Sequence, residues 1–85
     1  MNNATLSKLF LRDHIRAALH SYFADLEGES VAGMYNLVLS EMEVPLLEVV
    51  MQYAGNQSRA AEWLGLNRAT LRKLLQKYDI RAKIL

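Results

Sequence analysis

Asn56-Gln57-Ser58-Arg59-Ala60-Ala61-Glu62-Trp63-Leu64-Gly65-Leu66-Asn67-Arg68-Ala69-Thr70-Leu71-Arg72-Lys73-Leu74-Leu75-Gln76-Lys77-Tyr78 is the stretch that decides the fold. It reads as two short helices about a glycine turn. Asn56 is a strong N-cap for a helix over about Gln57 to Leu64, Gly65 ends that helix, and Asn67 caps another over about Arg68 to Lys77. In the second of these, Leu71, Leu74, Leu75 and Tyr78 fall at i, i+3, i+4 and i+7, one apolar stripe. Ala60 and Ala61 are small where the two helices must approach closely, and Leu64 and Leu66 flank the turn and point to the core. Gly65 can take a positive φ with no Cβ penalty. A pair of helices joined in this way is the unit that sets a recognition helix into the major groove of DNA.

The other side of the last helix carries the chemistry. Asn67, Arg68, Thr70, Arg72, Lys73 and Lys77 all avoid the apolar stripe. Asn and Arg at the leading end suit base edges, Asn pairing bidentately with adenine and Arg with the O6/N7 edge of guanine. Thr70, Arg72, Lys73 and Lys77 are better placed for phosphates, which fix register and supply most of the affinity. Backbone N–H groups at the two helix starts, with Asn56, Gln57 and Ser58, add phosphate donors. Arg59 completes the set expected at DNA. A solvated basic helix is the plain alternative, and the charge distribution weighs against it. Residues 1–54 hold three basic and seven acidic side chains, whereas residues 55–85 hold seven basic and two acidic, so a net charge of +1 conceals an acidic body and a basic end.

Upstream, the first ten residues show no clear period and read as a mobile tail. From Leu11, the residues Ile15, Ala18, Leu19, Tyr22, Phe23 and Leu26 continue one helical stripe, closed by Gly28. Ser30 reads as the N-cap of a long second helix, Val31 to about Tyr53, of ~34 Å. Pro45 would sit inside it as a kink, because no turn residue lies beside it. Gly55 closes it. Met34, Leu37, Val38, Met42, Leu46, Val49 and Val50 form one apolar band, with Tyr35, Leu39 and Leu47 beside it. A helix apolar over so much of its circumference must be buried on several sides. One short partner helix cannot cover it. A second copy of the chain could, through Leu19, Phe23, Tyr35, Val38, Leu39, Met42, Leu46, Val49 and Val50, giving a dimeric four-helix core. The expected fold is therefore all-α with four helices per chain. Residues 1–10 form a tail and 11–85 a single domain, comprising dimerisation helices over 11–54, a helix-turn-helix over 55–80 and a tail over 81–85.

Other chemistries find little support. There is no cysteine for a disulfide or thiolate metal site. Glu41, Glu43 and Glu48 break the apolar runs, so no membrane span is expected, and the start lacks the layout of a secretory signal. A cytoplasmic protein follows. His14 and His20 fall on different helix faces, so no metal is expected. No nucleophile–base pair or cofactor loop is visible, so neither enzyme activity, a cofactor nor a small-molecule substrate is expected. Trp63 falls on the outside of the first short helix, an exposed anchor against the long helix or a partner protein or, in the preferred reading, simple packing, and the methionines are expected to fill core. A helical dimer that binds protein rather than DNA remains the alternative from another class.

The chain also resembles the Fis family of bacterial nucleoid-associated proteins from Leu11 to about Ile80. Leu11-Arg12-Asp13, Ala18-Leu19, Tyr22-Phe23-Ala24 and Leu26-Glu27-Gly28 carry the likeness first. Tyr35-Asn36-Leu37-Val38-Leu39, Glu41-Met42-Glu43, Pro45-Leu46-Leu47-Glu48 and Val50-Met51 extend it. Gly55-Asn56-Gln57-Ser58-Arg59-Ala60-Ala61, Gly65-Leu66-Asn67-Arg68 and Thr70-Leu71-Arg72-Lys73 complete it. NtrC-type activators end in a similar helix-turn-helix, so an effector domain of that kind is the second reading; the first half fits Fis better, and Met1 opening the chain speaks against an upstream module. The resemblance implies an intertwined homodimer that binds and bends double-stranded DNA of tolerant sequence, a transcriptional regulator and nucleoid organiser. By position it implies Asn67 and Arg68 as base readers, Lys73 as a major contact, and Asn56, Ser58, Thr70, Arg72 and Lys77 as backbone contacts. It also implies two recognition helices closer than one DNA turn, so that the duplex must bend.

Three departures from the family carry expectations of their own. The segment before Leu11 is too short for the β-hairpin arm of members that stimulate recombinases. Only Ala54 separates Tyr53 from Gly55, where the family has an extra residue and a basic group, which removes a phosphate contact. Leu74 and Gln76 replace lysines common in the family, which lowers non-specific affinity.

Overall fold

The computed structural model describes residues 3–81, with side chains from residue 10 onward. Within them lie four helices and no strand: α1 (Asn3–Leu26), α2 (Met34–Ala54), α3 (Gln57–Leu64) and α4 (Arg68–Lys77). Two compact units result, Met1–Ala32 and Gly33–Leu85. No helix among the described residues is long and apolar enough to cross a membrane. Of the tail expected over 81–85, residues 82–85 lie outside the described residues.

In the first unit, α1 begins at Asn3 rather than at Leu11, so most of the segment read as a tail is helix. The periodic stripe starts at Leu11, but helix formation needs no stripe. Residues 4–10 contain neither Gly nor Pro and include Ala, Leu and Lys, so nothing stops propagation back from the periodic part. Ile15, Leu19, Tyr22 and Leu26 are half-buried, while Phe10, Leu11 and Phe23 stand open. Tyr22 and Phe23 meet edge-on at 6.3 Å between ring centroids. Arg16 and Asp13 pair at 2.8 Å on the wet side, a contact worth little in water. The helix stops where Gly28 was expected to stop it: Glu27 and Gly28 take φ of 51° and 86°, and the Glu29 N–H donates to the Leu26 carbonyl at 3.0 Å.

In the second unit, α2 starts at Met34, so Ser30 does not cap it and Val31 lies outside it. Gly33 is the reason. It sits at φ 73°, a left-handed conformation that a right-handed helix cannot include, so the helix can only begin after it. Pro45 is held inside one continuous helix, as expected. Gly55, at φ 85°, closes α2 by donating its N–H to the Met51 carbonyl at 3.0 Å. Ala54 is the last helical residue and is buried, so the corner into α3 is made by Gly55 and Asn56, not by Ala54.

Each face of α2 meets a different environment. Leu47, Met51 and Ala54, at i, i+4 and i+7, are buried against Ala60, Ala61, Leu71 and Leu75 of the same chain. Val50, placed by sequence at a dimer interface, packs on the rim of this core with Leu64, Leu74, Tyr78 and Ile80. About a quarter-turn or more away, Tyr35, Met42, Leu46, Val49 and Tyr53 recur at seven-, four-, three- and four-residue steps and are uncovered, at 79, 42, 50, 50 and 74% exposure. Val38 and Leu39 border that stripe half-buried. The helix was expected to be apolar over several faces, and its own helix-turn-helix covers only one.

Candidate nucleic-acid interface

The bounds of α3 and α4 match the sequence reading to the residue, because each end carries a side chain or backbone that fixes it. Asn56 caps α3, its Oδ1 accepting the Arg59 N–H at 2.9 Å. Gly65, at φ 69°, ends α3 with its N–H on the Glu62 carbonyl, and Leu66 donates to the Ala61 carbonyl at 2.9 Å. Asn67 caps α4, its Oδ1 accepting the Ala69 N–H at 2.7 Å. At the far end Asp79 adopts φ 52°, Ile80 donates back to the Leu75 carbonyl at 2.8 Å, and the Ile80 side chain packs on the core. Ala60 and Leu71, both at 0% exposure, form the contact between the two helices and α2. A larger residue at Ala60 would hold the helices apart.

With its inner face fixed, the outer face of α4 is set by helical geometry. Lys73, Ala69 and Gln76 occupy its middle; Arg68 and Arg72 lie on one flank, Thr70 and Lys77 on the other. All are exposed. Among the described residues none of Arg68, Arg72, Lys73 and Lys77 forms an ion pair, so four cations face outward unneutralised. The Lys77 ammonium rests 5.1 Å from the centroid of the Tyr78 ring, which gives that long side chain a preferred position. Tyr78 in turn donates its hydroxyl to Glu43 of α2, and this hydrogen bond, then partial burial and the nearby carboxylate charge, raise its pKa above the ordinary tyrosine value.

Three of the residues picked from sequence have more specific surroundings than sequence could give. Asn67 spends one lone pair of its side-chain oxygen on the cap, so its NH₂ donors are what it chiefly offers a ligand. Gln57 lies half-buried on the same face of α3 as Ala60, Ala61 and Leu64, which leaves its backbone N–H, rather than its side chain, at the helix start. Arg59 reaches back across the corner to the Ala54 carbonyl at 3.5 Å, the negative end of α2. Asn56 and Ser58 are exposed. Sequence reasoning passed over Ala69, a residue with only a methyl group at the middle of the outer face, where a ligand can come close to the backbone. Trp63, placed by sequence on the outside of this helix but preferred there as a packing residue, is 55% exposed. The inward side of the eight-residue α3 is filled by Ala60, Ala61 and Leu64, and position 63 falls on its shoulder. No cluster of metal-ligating side chains occurs among the described residues.

Residues 38–78 match the family described as bacterial regulatory protein, Fis family. Relatives resemble more of the chain. A Fis-like DNA-binding protein of Pseudomonas aeruginosa is 59% identical over 71 residues, 82% of this chain and 68% of its own length. The DNA-binding protein Fis of Proteus mirabilis is 58% identical over 71 residues, 82% of this chain and 72% of its own. That of Pectobacterium carotovorum is 53% identical over 80 residues, 93% of this chain and 82% of its own. The likeness therefore reaches well beyond the helix-turn-helix.

Proposed function

Because the chain belongs to the Fis family of bacterial DNA-binding regulatory proteins, we propose that it acts as a homodimer laying two α4 helices in the major groove of bent duplex DNA. The observation that carries this reading is the outer face of α4, with three unneutralised cations, Arg72, Lys73 and Lys77, behind an Asn-Arg tip on a helix whose other face is locked into a core. Asn67 and Arg68 read base edges, Arg68 through two donors to the O6/N7 edge of guanine and Asn67 through its amide. Lys73 is the central contact. Asn56, Ser58, Thr70, Arg72 and Lys77 hold phosphates, and Gln57 contributes its backbone N–H. Arg59 braces the corner between α2 and α3 and turns its remaining donors to the backbone.

Dimerisation answers the uncovered stripe of α2. Covering half of each large side chain at Tyr35, Met42, Leu46, Val49 and Tyr53 gains roughly 1 kcal/mol apiece. Val38 and Leu39 at its edges, with Leu19 and Phe23 of α1, complete the interface, so that residues 11–54 dimerise and 55–80 bind DNA. Two α4 helices standing closer than one DNA turn require the duplex to bend, which couples affinity to the deformability of base steps that are never touched. Such a protein works as a sequence-tolerant regulator and organiser of the bacterial nucleoid, in the cytoplasm.

Paired substitutions test the roles within α4. Arg68→Ala is expected to weaken binding to a preferred duplex by about 1–3 kcal/mol, some five- to 150-fold, and to random duplex far less. Lys77→Ala is expected to weaken both alike. Equal losses on the two duplexes from Arg68→Ala would demote Arg68 to a phosphate contact. For the dimer, sedimentation of the full chain is expected to give twice the chain mass, and Leu46→Asp, in the middle of the stripe, to shift it toward monomer. A wild-type chain that stays folded and monomeric at micromolar concentration contradicts the dimer.

A further inference from the structure

The Tyr78 hydroxyl donates to Glu43 Oε1 at 2.5 Å across 35 positions of sequence. Among the described residues it is the only hydrogen bond between side chains of different structural elements. Glu43 stands one turn before Leu47 and two turns before Val50, on the face of α2 that receives the helix-turn-helix. Tyr78 is the C-cap of α4. From this geometry we propose that the Tyr78–Glu43 bond is a positioning device that sets the angle of α4 on α2, and through it the ability of Asn67 and Arg68 to distinguish base sequences. The proposal rests on the reading of α4 as the base-reading helix.

Packing gives the contact between α4 and α2 its strength, and the bond adds a direction. Leu71 and Leu75, with Leu74 and Ile80 on the rim, hold α4 by apolar contact, which is strong but supplies no directional polar link at its C-terminal end. A hydroxyl–carboxylate bond is directional and charge-assisted. Its location matters as much as its strength. The ten residues of α4 span about 15 Å, and the bond lies at the end opposite the Asn-Arg tip. A swing of ~10° about the C-terminal end would carry the tip roughly 2.6 Å over that length. Hydrogen bonds to base edges hold over only about 0.5 Å of donor–acceptor distance. Phosphate attraction is long-ranged and survives such an error, so loss of the bond should degrade discrimination before it degrades binding. The same ring carries the Lys77 ammonium on its face, so one side chain places both the helix and its last cation.

The test uses the full chain and two duplexes of equal length, one enriched by the wild-type protein from a random library and one scrambled from it. Tyr78→Phe removes only the oxygen, Glu43→Ala removes the acceptor, and Glu43→Gln keeps a carbonyl oxygen in its place. Tyr78→Phe and Glu43→Ala are expected to reduce the ratio of the two Kd values about fivefold, the lower end of what one bidentate base contact contributes, while Glu43→Gln stays near wild type. A bond that merely stabilised the fold would shift the melting temperature or weaken both duplexes together, and the ratio would not move. An unchanged ratio in Tyr78→Phe, with a wild type that discriminates, overturns the positioning role alone. A wild type that binds both duplexes equally overturns base reading by α4 and this proposal with it.

Discussion

Raising monovalent salt from about 50 to 200 mM is expected to weaken DNA binding by ~10³–10⁴-fold. The expectation comes from counting cations. Arg72, Lys73 and Lys77 are exposed on α4 with no acidic partner among the described residues, and Arg68 stands at its tip. If three or four phosphates are neutralised per protomer, a dimer neutralises about six to eight, and the log–log slope against salt is roughly −5 to −7. One protomer acting alone would give about half that slope. The measurement therefore reads the number of recognition helices engaged as well as the electrostatic character of the interface. Kd by fluorescence anisotropy at four or five salt concentrations is sufficient. A slope near zero would mean that the outward cations of α4 are not at phosphate, and would leave the protein-binding alternative standing.

Leu71→Ala is expected to cost about 3 kcal/mol of stability, within the usual range for a leucine deleted from a core. Leu71 is fully buried and touches the packing of all three helices of the second unit. The core there has seven buried side chains, and three of them are alanines, so few neighbours can move in to fill the cavity. For a domain of this size the loss corresponds to a fall in Tm of roughly 12–24 °C. DNA binding should fail with it near physiological temperature, because the outer face of α4 is presented only while its inner face is held. Gln76→Ala, on the exposed side of the same helix, is the control and should stay within about 0.5 kcal/mol of wild type. A drop of only a few degrees for Leu71→Ala would show that α4 is held by something other than this core.

Where sequence reading succeeded, the cause was local. The ends of α3 and α4 are written in Asn56, Gly65 and Asn67, each of which satisfies or terminates a helix by its own side chain or its own φ. Where it failed, the signal was either weak or of another kind. Asn3 as the start of α1 carries no cap or stripe, only the absence of a breaker. Gly33 was passed over for Ser30 because a good capping side chain is more conspicuous than a glycine, though the glycine's left-handed backbone decided the matter. Trp63 was placed on the outside of its helix by spacing and packing was nonetheless preferred for it, whereas the narrow inner face of a short helix left it exposed.

By itself the sequence determined the four-helix, all-α character, the bounds of the helix-turn-helix and the identity of the cations on its outer face. These follow from periodicity of 3.6, from caps and from charge, all of which act over a few residues. Only the tertiary structure decided which face of α2 belongs to which partner. Leu47, Met51 and Ala54 go to the chain's own α3 and α4, leaving Tyr35, Met42, Leu46, Val49 and Tyr53 uncovered. It alone brought Glu43 to Tyr78, committed one lone pair of Asn67 to a cap, and turned Gln57 inward. The physical reason is that an apolar stripe specifies burial but not by what, since hydrophobic contact has no direction and no memory of sequence distance.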